Sequence, residues 1–544
     1  MIFKKFKTVR FYFNPVLYNI TFLLIPVLVI YFFSQLRVLA WPYMLNCFDP
    51  EYTYLLNGVC LGQFKFDIGH VDNPGTPLQI IVAIVTRIVH LFSQTEKVYI
   101  EDVVANPQFY LSVINIVNIS LIALIILAAG IYIFRITGNI GLSLLIQFTP
   151  FAYLEYIVNT IRIFPEVIII IPSMFMIITL IHYIYNKNSD SNISWYVLVF
   201  SLITGFGLSF KLDFLSLIFI PLIIIPSLKH KIRYLFLSVS SFFIFAFPIL
   251  WKLNFFYHWV KDLFIHSGRY GRGDTNVINL NDLFPNLSKL FNFYSLYFII
   301  LFILIIVAIV YHFKIFNLKN EDNKKLYKIL TGLIVSFLFH IILVSKHFSY
   351  HYMMPSLFLS CFALFIVIEI LRKKHSIIKG LVAILIIIVL SISFNKSFLK
   401  TMGWKEITDH NKIEVIEDTR SIVGDKPFIT VGHPFDFYFE EMGLLFGMLH
   451  TGKHRPNFQK ILDKYYPNTY IYDNSITEFF HWADFFPPDE FINKYDNIYV
   501  FVDAQELNIK DKVFALLGPE AKEECLYTND KTGDKVFRIS RKKE

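Results

Sequence analysis

The stretch from Gln108 to Phe134 reads QFYLSVINIVNISLIALIILAAGIYIF and contains no charged residue. It is longer than the roughly 20 apolar residues that a helix needs to cross the hydrocarbon core of a bilayer. It also lacks the regular alternation of apolar and polar residues that is typical of membrane barrel strands. The stretch therefore predicts a membrane-spanning α-helix.

Apolar segments of similar character recur on both sides of this stretch, from Leu17 to about Phe394. Because a backbone exposed to lipid must satisfy its own hydrogen bonds, we interpret these segments as helices and the chain as an α-helical polytopic membrane protein. The candidate segments are 17–40, 76–93, 108–134, 140–158, 165–185, 194–210, 213–228, 234–251, 294–312, 328–345, 352–371 and 378–394.

The composition supports this interpretation and excludes other classes. Of the 544 residues, 55% are hydrophobic and only 17% are charged, whereas a soluble domain is typically about 25% charged. These values exclude a soluble enzyme, a disordered scaffold and a disulfide-stapled secreted module. The net charge of +8 comes with short basic clusters between apolar segments, which is the pattern of membrane-protein loops. We therefore expect a lipid bilayer as partner and no nucleic acid.

The basic clusters also predict the orientation. Residues 4–10, 229–233, 324–328 and 372–374 are rich in Lys and Arg, so we assign them to the cytoplasmic side of a plasma or inner membrane. The long loops 41–75 and 252–293 then lie on the extracytoplasmic side, together with the C-terminal region. Since the termini fall on opposite sides, we expect 11 or 13 crossings, with 76–93 as the weakest candidate because it contains Arg87 and His90.

The chain changes character at about Asn395. The remaining residues contain Asp, Lys, Glu and Pro throughout, with strand-like stretches at 426–431 (KPFITV) and 497–502 (NIYVFV). This pattern predicts a water-soluble α/β domain. We therefore divide the chain into a transmembrane domain, 1–394, and an extracytoplasmic soluble domain, 395–544.

The first outer loop contains the sequence Asp49-Pro50-Glu51-Tyr52. Asp49 before Pro50 is a good helix N-cap, and the helix dipole favours Glu51 in the first turn. The segment is therefore either a capped amphipathic helix lying along the membrane or a site in which a partly shielded carboxylate acts as a general base. The local sequence leaves both alternatives open.

Further ionisable residues gather on the same predicted face. Arg269 and Arg272, in the glycine-containing second loop, are either phosphate ligands or solvated interfacial side chains. Others lie at the outer ends of apolar segments: Arg162, Glu166, Lys211, Lys346, His351 and Tyr352. The structural alternatives are an Arg162–Glu166 helix pair, a local Lys211–Asp213 pair and snorkelling lysines. Because charges at this depth are costly, their common side favours a shared polar cavity.

Other motifs are informative by their absence from the sequence. It contains no glycine-rich nucleotide-binding motif, no nucleophile elbow and no zinc-ligand spacing. We therefore expect any transferred group to arrive on a carrier other than a nucleotide. His340 and Gln147 lie in the middle of predicted helices, where hydrogen-bonded contacts between helices are the favoured interpretation.

In this order, the polar residues resemble motifs of the GT-C class of polytopic glycosyltransferases, especially the family 39-like group that includes protein O-mannosyltransferases and lipid A aminoarabinose transferases. Residues 49–52 with Asn57-Gly58 are similar to the acidic pair and Tyr that open the first external loop in that group. Residues 70–77 resemble its His-Pro stretch, although three residues separate His70 from Pro74. Later motifs are matched by 165–166, 205–211 and 346–355, so the likeness covers roughly residues 1–394.

The resemblance implies a GT-C-like fold and an enzyme that builds cell-envelope glycans. Such an enzyme moves one hexose or pentose from a polyprenyl-phosphate donor to a hydroxyl of a glycan, lipid or protein, with inversion. Asp49, Glu51 and Glu166 would be catalytic, with Asp49 as the base. The substrate-binding residues would be His70, Arg162, Lys211, Arg269, Arg272, Lys346, His351 and Tyr352. The resemblance implies no required cofactor, and no metal is indicated.

A second enzyme family and a different function are the alternatives to a single-sugar transferase. The Asp-Pro start is also similar to oligosaccharyltransferase catalytic subunits, but the chain lacks their Trp-Trp-Asp-Tyr-Gly-type signature, which favours transfer of a single sugar. The alternative function is a multi-pass transporter or lipid flippase. That class predicts inverted repeats with matching broken helices, and the sequence contains no clear repeat.

Overall fold

The structure is a computed structural model that describes most of the chain. The described residues are 15–40, 42–46, 51–267, 271, 273–277, 279–312, 321–371, 384–385, 411–431, 439–473, 477–518 and 522–540. The α-helices up to residue 371 are Pro15–Leu39, Glu51–Gly62, Thr76–Phe92, Tyr99–Ala105, Pro107–Thr137, Ile140–Gln147, Leu154–Asn159, Pro165–Ile168, Ile170–Tyr185, Ile193–Phe210, Phe219–Ile224, Leu228–Phe245, Leu253–Ile265, Leu280–Phe293, Ser295–His312, Glu321–Lys346, Met354–Leu357 and Ser360–Ile370. Short 3₁₀ helices in this part are Tyr43–Asn46, Thr149–Phe151, Leu212–Ile218, Phe247–Lys252 and Tyr350–Met353.

Seven helical segments among the described residues are long and apolar enough to cross a membrane, or eight if one bent pair counts as a single span. The predicted multi-pass helical architecture is thereby confirmed, whereas the total of 11 or 13 crossings stays a prediction. The seven are Thr21–Leu39, Pro107–Thr137, Pro165–Tyr185, Ile193–Phe210, Ser295–His312, Lys324–Lys346 and Tyr350–Ile370.

Several other candidate segments form shorter or interrupted helices. Segment 140–158 is divided at Thr149–Phe151, because Pro150 cannot donate the backbone hydrogen bond that a continuous helix requires. Segment 213–228 forms a 3₁₀ helix and then Phe219–Ile224, which ends shortly before Pro226. Thr76–Phe92 is also shorter than a full span. Segment 378–394 lies outside the described residues except for 384–385.

The segment 252–293 is predicted from the sequence as a long loop, but much of it is helical. Leu228–Phe245 is followed by the helical segment Phe247–Ile265, which turns by 88° at a break near Pro248. A second helix, Leu280–Phe293, closes the segment. Phe256, Trp259 and Val260 recur at the spacing of one helical face, and this apolar face explains why the chain is helical here.

The segment 41–75, predicted as the first outer loop, is partly helical, with Tyr43–Asn46 and Glu51–Gly62. Glu51–Gly62 forms a helix as expected, and all 12 of its residues are buried. The helix is therefore enclosed by other parts of the protein, whereas its position along the membrane surface and the general-base alternative both stay predictions. Asp49 and Pro50 lie outside the described residues.

The C-terminal region forms the predicted α/β structure. Among the described residues its strands are β1 Phe428–Val431, β2 Thr469–Asp473, β3 Glu478–His481, β4 Asp484–Phe485, β5 Asn497–Val502, β6 Lys522–Thr528 and β7 Lys535–Ser540. These seven strands make one sheet in the order β4-β3-β2-β1-β5-β7-β6. The predicted strands 426–431 and 497–502 are confirmed as neighbouring parallel strands, with Phe428 opposite Tyr499. The helices are Asn411–Val423, Glu440–Leu449, Arg455–Tyr465, Pro488–Lys494 and Lys510–Leu517, with 3₁₀ helices Gly452–His454 and Ala504–Glu506.

The sheet is held by an aromatic and aliphatic core. Ile429, Tyr470, Val500 and Phe537 are buried on neighbouring strands, and Phe491 packs in the same cluster from helix Pro488–Lys494. Each large apolar side chain that is buried in this core contributes about 1.5–3 kcal/mol to the free energy of folding. The pattern of β-branched and aromatic residues in 497–502 therefore determines both the strand and its packing.

The chain forms two compact units, which are described separately. The first consists of Met1–Arg37, Val71–Leu78 and Asn115–Gly403, and the second of Val38–His70, Gln79–Ile114 and Trp404–Glu544. The sheet therefore belongs to the same unit as helix Glu51–Gly62. This division differs from a simple cut at 394/395, because two segments from the N-terminal quarter of the chain join the second unit.

Candidate functional site

A buried charge cluster lies in the first unit. Lys211 Nζ forms an ion pair with Glu166 Oε1 and lies 3.9 Å from Asp213 Oδ2. The side chains of Lys211 and Glu166 are each only 4% exposed. Two carboxylates therefore surround one ammonium group, which offsets the large cost of burying an isolated charge.

Aromatic and imidazole groups complete this cluster. His351 Nε2 lies 3.5 Å from Glu166 Oε1. Lys211 Nζ also lies 4.0 Å from the centre of the Tyr352 ring, which is cation–π geometry. The His351 ring packs edge-on against Phe164 and Tyr352. Four of the predicted site residues, Glu166, Lys211, His351 and Tyr352, are thus brought together.

The local backbone explains how Lys211 and Asp213 reach this place. Helix Ile193–Phe210 ends where Lys211 becomes extended, with φ −162° and ψ 140°. The chain then enters the 3₁₀ helix Leu212–Ile218, which has Asp213 in its first turn. A Cβ on Gly207 would lie 2.3 Å from the Phe214 ring, so the turn requires a residue without a side chain there.

A cavity of about 460 Å³ opens beside the cluster within the same unit. Its volume is in the range of typical small-molecule sites. Most of its wall is apolar and includes Leu208, Val239, Phe242, Phe256, Trp259, Phe339 and Leu343. Its polar lining residues are Asn73, Lys211, Asp213, Lys346, His347 and the hydroxyl-bearing Tyr352. The cavity therefore offers an amphipathic ligand an apolar compartment and a small set of charged groups.

Lys346 has different partners from Lys211. Its Nζ donates to the carbonyl oxygens of Leu263 and Phe264, at 2.8 Å each. These carbonyls lie in the last turn of helix Leu253–Ile265, where no intrahelical donor is available and a cation is favoured. An ammonium group has three N–H donors, so one remains for a ligand. Within the part of the chain that the structure describes, Lys346 forms no ion pair with a carboxylate.

Asn73 enters the cavity wall through a tight turn. Asn73 and Gly75 both have positive φ angles, 50° and 59°, in the left-handed region that Asn and Gly tolerate best. The Gly75 N–H donates to the Phe210 carbonyl at 3.1 Å. The segment that resembles the His-Pro motif is thereby fixed to the end of the helix that precedes Lys211.

Glu51 and His70 lie in the second unit. Glu51 is fully buried in the first turn of helix Glu51–Gly62. The His70 N–H donates to Asn57 Oδ1 at 3.2 Å, and its carbonyl accepts from Gln79 Nε2 at 3.0 Å. Its ring packs edge-on against Tyr54 with 5.2 Å between ring centres. The backbone of His70 is therefore held on both sides.

The second unit also contains residues near the first-loop motif that the sequence analysis did not identify. Gln108 Nε2 donates to Glu440 Oε1 at 2.9 Å and to the Tyr52 hydroxyl at 2.7 Å. The Tyr52 hydroxyl in turn donates to Glu440 Oε1 at 3.2 Å. Glu441, the next residue, is fully buried and forms an ion pair with Arg420. Helix Glu440–Leu449 thus holds Tyr52 through one of two consecutive carboxylates.

Close helix packing explains why this contact forms. A Cβ on Gly443 would lie 2.6 Å from the Tyr52 ring, and one on Gly447 would lie 2.6 Å from the Tyr52 carbonyl oxygen. Glycines four residues apart allow two helices to approach closely, as in membrane helix pairs. This Gly-x-x-x-Gly spacing in 443–447 is the signal in the sequence that indicates close packing of this helix.

Burial changes the acidity of Glu440. Removal from water raises the pKa of its carboxyl group, and the neighbouring Glu441 acts in the same direction. Hydrogen bonds from Gln108 and Tyr52 and the charge of Arg420 oppose this shift without cancelling it. The protonated form of Glu440 is therefore favoured more than in an exposed Glu.

The remaining predicted site residues have separate positions. The Arg162 guanidinium lies 5.3 Å from the centre of the Phe164 ring. Asp49, Arg269 and Arg272 lie outside the described residues. His340 and Gln147 make the expected structural contacts: His340 Nδ1 lies 2.6 Å from Ser356 Oγ, and Gln147 Nε2 donates to the Phe22 and Ile126 carbonyls at 3.2 Å each.

Among the described residues, no group of three or more His, Cys, Asp or Glu side chains could hold a metal ion. No protein-family model, no curated protein and no solved structure matches the chain. The amphipathic cavity of the first unit, with Lys211 and Lys346 in its wall, is the basis of the proposed function.

Proposed function

We propose that the protein is a membrane glycosyltransferase that moves a single sugar from a polyprenyl-phosphate donor to an acceptor hydroxyl on the outer face of the membrane. One observation supports this most: the apolar cavity of about 460 Å³ also presents Lys346, which has no carboxylate partner among the described residues. A lipid phosphate combines a hydrocarbon chain with an anion. The cavity matches both parts of such a ligand.

The two lysines of the cavity have different proposed roles, because their partners differ. Lys346 would bind the phosphate directly, because carbonyls occupy only two of its N–H donors. Lys211 is already paired with Glu166, so it would contribute to the potential of the site more than to direct binding. Positive charge near the phosphate stabilises the negative charge that develops on this leaving group as the glycosidic bond breaks.

The roles of the residues that act at the sugar are taken from the motifs that resemble those of GT-C enzymes. Asp49 would take the proton from the acceptor hydroxyl, and that oxygen would attack the anomeric carbon from the side opposite the phosphate. The new glycosidic bond forms as the bond to the phosphate oxygen breaks, and the phosphate keeps the electron pair. Glu166, which belongs to the first unit, would orient the sugar or the acceptor. No metal is part of the proposal, because lysine ammonium groups supply the positive charge.

A transporter or lipid flippase is the second candidate. It is favoured by the interruption of segment 140–158 at Pro150 and by the buried Lys211–Glu166 pair, since broken helices and intramembrane charges are typical of transport pathways. Such a protein would bind the lipid or solute without changing it covalently.

Mass spectrometry of lipids that co-purify with the detergent-solubilised protein tests the proposal. We expect a polyprenyl phosphate or its glycosylated form to co-purify with wild type. The Lys346→Ala variant should retain less of this lipid. Incubation of vesicles that contain the protein with the extracted glycolipid should release the bare polyprenyl phosphate when an acceptor is present. A co-purifying small solute without prenyl lipid, or a lipid that crosses the bilayer unchanged, would contradict the transferase and favour the transporter.

A further inference from the structure

Asp213 has no place in the proposed chemistry, although it lines the cavity. Its Oδ2 atom is buried and has no hydrogen-bond partner among the described residues, and 17% of its side-chain surface remains exposed. Buried polar groups are almost always hydrogen-bonded, and an unsatisfied one costs about 1–3 kcal/mol. A carboxylate in this state therefore requires an explanation.

The neighbouring Lys211 does not satisfy the hydrogen-bonding capacity of Asp213. The Nζ–Oδ2 distance of 3.9 Å is too long for a hydrogen bond, and Lys211 is directly paired with Glu166. The contact to Lys211 compensates part of the charge of Asp213 and leaves its hydrogen-bonding capacity available.

We propose that Asp213 is a specificity-determining residue that accepts hydrogen bonds from the hydroxyl groups of the sugar on a lipid-phosphate donor. This inference rests on the proposed function. The polar groups at the cavity include both a cation, Lys346, and this carboxylate, so they match a ligand that presents a phosphate and hydrogen-bond donors side by side. A glycosyl phosphodiester has both features.

The same carboxylate would disfavour the reaction product. When the sugar leaves, the bond between its anomeric carbon and the phosphate oxygen breaks and the phosphate keeps the electron pair. The carrier lipid then has no sugar hydroxyls and a more negatively charged phosphate monoester. Asp213 loses its hydrogen-bond donors and repels the additional charge. It therefore distinguishes the loaded donor from the spent carrier.

Binding of two kinds of probe, a bare and a glycosylated lipid phosphate, to the purified full-length protein tests this role. The probes are farnesyl phosphate and its D-mannosyl and D-glucosyl phosphodiesters, measured by isothermal titration calorimetry. In Asp213→Leu we expect at least one glycosyl probe to bind about tenfold more weakly, the loss typical of a hydrogen bond to a charged group, while farnesyl phosphate binds as well as to wild type or more tightly. Asp213→Asn keeps an acceptor oxygen, so its loss for the glycosyl probe should be smaller.

Asp262→Asn is the matched control, because Asp262 lies on helix Leu253–Ile265 without lining the cavity, and it should change neither affinity. Unchanged farnesyl phosphate binding also demonstrates that a variant is folded. Equal losses for both kinds of probe, or no loss for either glycosyl probe, would overturn the role of Asp213 while leaving the lipid-phosphate site intact. If wild type binds none of the probes, the proposed function fails and this inference fails with it. An equally large loss in Asp213→Asn and Asp213→Leu would overturn recognition through hydroxyls, since it would require a cationic ligand group.

Discussion

Lys211 and Lys346 line one cavity but differ in their electrostatic surroundings. Lys211 is buried against Glu166, with Asp213 nearby. Lys346 is half-buried and donates to two helix-end carbonyls. The sequence treats the two as equivalent candidates for phosphate binding, and only their partners in the fold separate the roles.

Lys346→Ala should weaken binding of farnesyl phosphate by about 10- to 100-fold, the loss typical of a hydrogen bond between two charged groups. Isothermal titration calorimetry of the purified protein measures this loss. Lys261→Ala is the control, because Lys261 is exposed on the neighbouring helix. Unchanged affinity in Lys346→Ala would exclude Lys346 as a phosphate ligand.

Glu166→Gln should destabilise the protein by about 3 kcal/mol, because it leaves the buried Lys211 ammonium without its closest counter-charge. The double variant Glu166→Gln/Lys211→Met should recover most of that stability, since no uncompensated charge remains. Thermal unfolding in detergent compares wild type, Glu166→Gln, Lys211→Met and the double variant. A double variant as unstable as the sum of both single changes would show that the pair is not coupled.

At the scale of elements, the sequence determined those helices whose apolar pattern is long and uninterrupted. The stretch 108–134 lies within helix Pro107–Thr137, and 194–210 closely matches Ile193–Phe210. The expectation was wrong for 252–293 because His258, Lys261 and Asp262 obscured the apolar face formed by Phe256, Trp259 and Val260. That face is recognisable only once its partner residues in the cavity wall are known.

Helix Glu440–Leu449 contains a partly buried carboxyl group, Glu440, that makes the stability of the second unit depend on pH. Burial raises the pKa of Glu440 above its usual value of 4.5, so the folded protein binds more protons than the unfolded chain just above that pH. Stability should therefore be fully present below about pH 4.5 and should fall as the pH rises through the raised pKa. Glu440→Gln removes this contribution and still accepts hydrogen bonds from Gln108 and Tyr52.

Thermal unfolding between pH 4.5 and pH 8 compares wild type with Glu440→Gln. The variant should lose less stability over this range and should be at least as stable at neutral pH. Glu478→Gln, at an exposed position of the sheet, is the control and should follow wild type. A variant with the same pH profile as wild type would contradict the assignment of this titration to Glu440.

For the whole molecule, the sequence predicted a multi-pass helical protein with a C-terminal α/β region, and both features are confirmed. It could not predict that 38–70 and 79–114 would join the unit of the sheet. One contact within this unit joins Gly443 and Gly447 to Tyr52. The Gly-x-x-x-Gly spacing indicates that this helix packs closely against another element, but it does not identify Tyr52, which is far away in the sequence. The charge cluster was predicted as a set of residues, but its pairing of Lys211 with Glu166 depends on side-chain positions that spacing does not specify.

The predicted extracytoplasmic position of the C-terminal domain can be measured with a native thiol. Cys525 is exposed on β6, whereas Cys60 and Cys361 are buried. In a Cys47→Ser background, a membrane-impermeant maleimide should label intact cells, because Cys525 faces the outside in the proposed orientation. The further change Cys525→Ser should abolish the labelling. Labelling that requires permeabilised cells would reverse the orientation.

The central claim is that the cavity of the first unit holds a polyprenyl phosphate. Photo-crosslinking with a farnesyl phosphate that has a diazirine in its last isoprene unit tests this most directly, with the labelled residues identified by peptide mass spectrometry. We expect labels on cavity residues such as Val239, Phe242, Phe256 and Trp259, reduced by excess unmodified farnesyl phosphate and much less by farnesol. Labels confined to outward-facing residues such as Phe236 and Ile244, without competition by farnesyl phosphate, would contradict the claim.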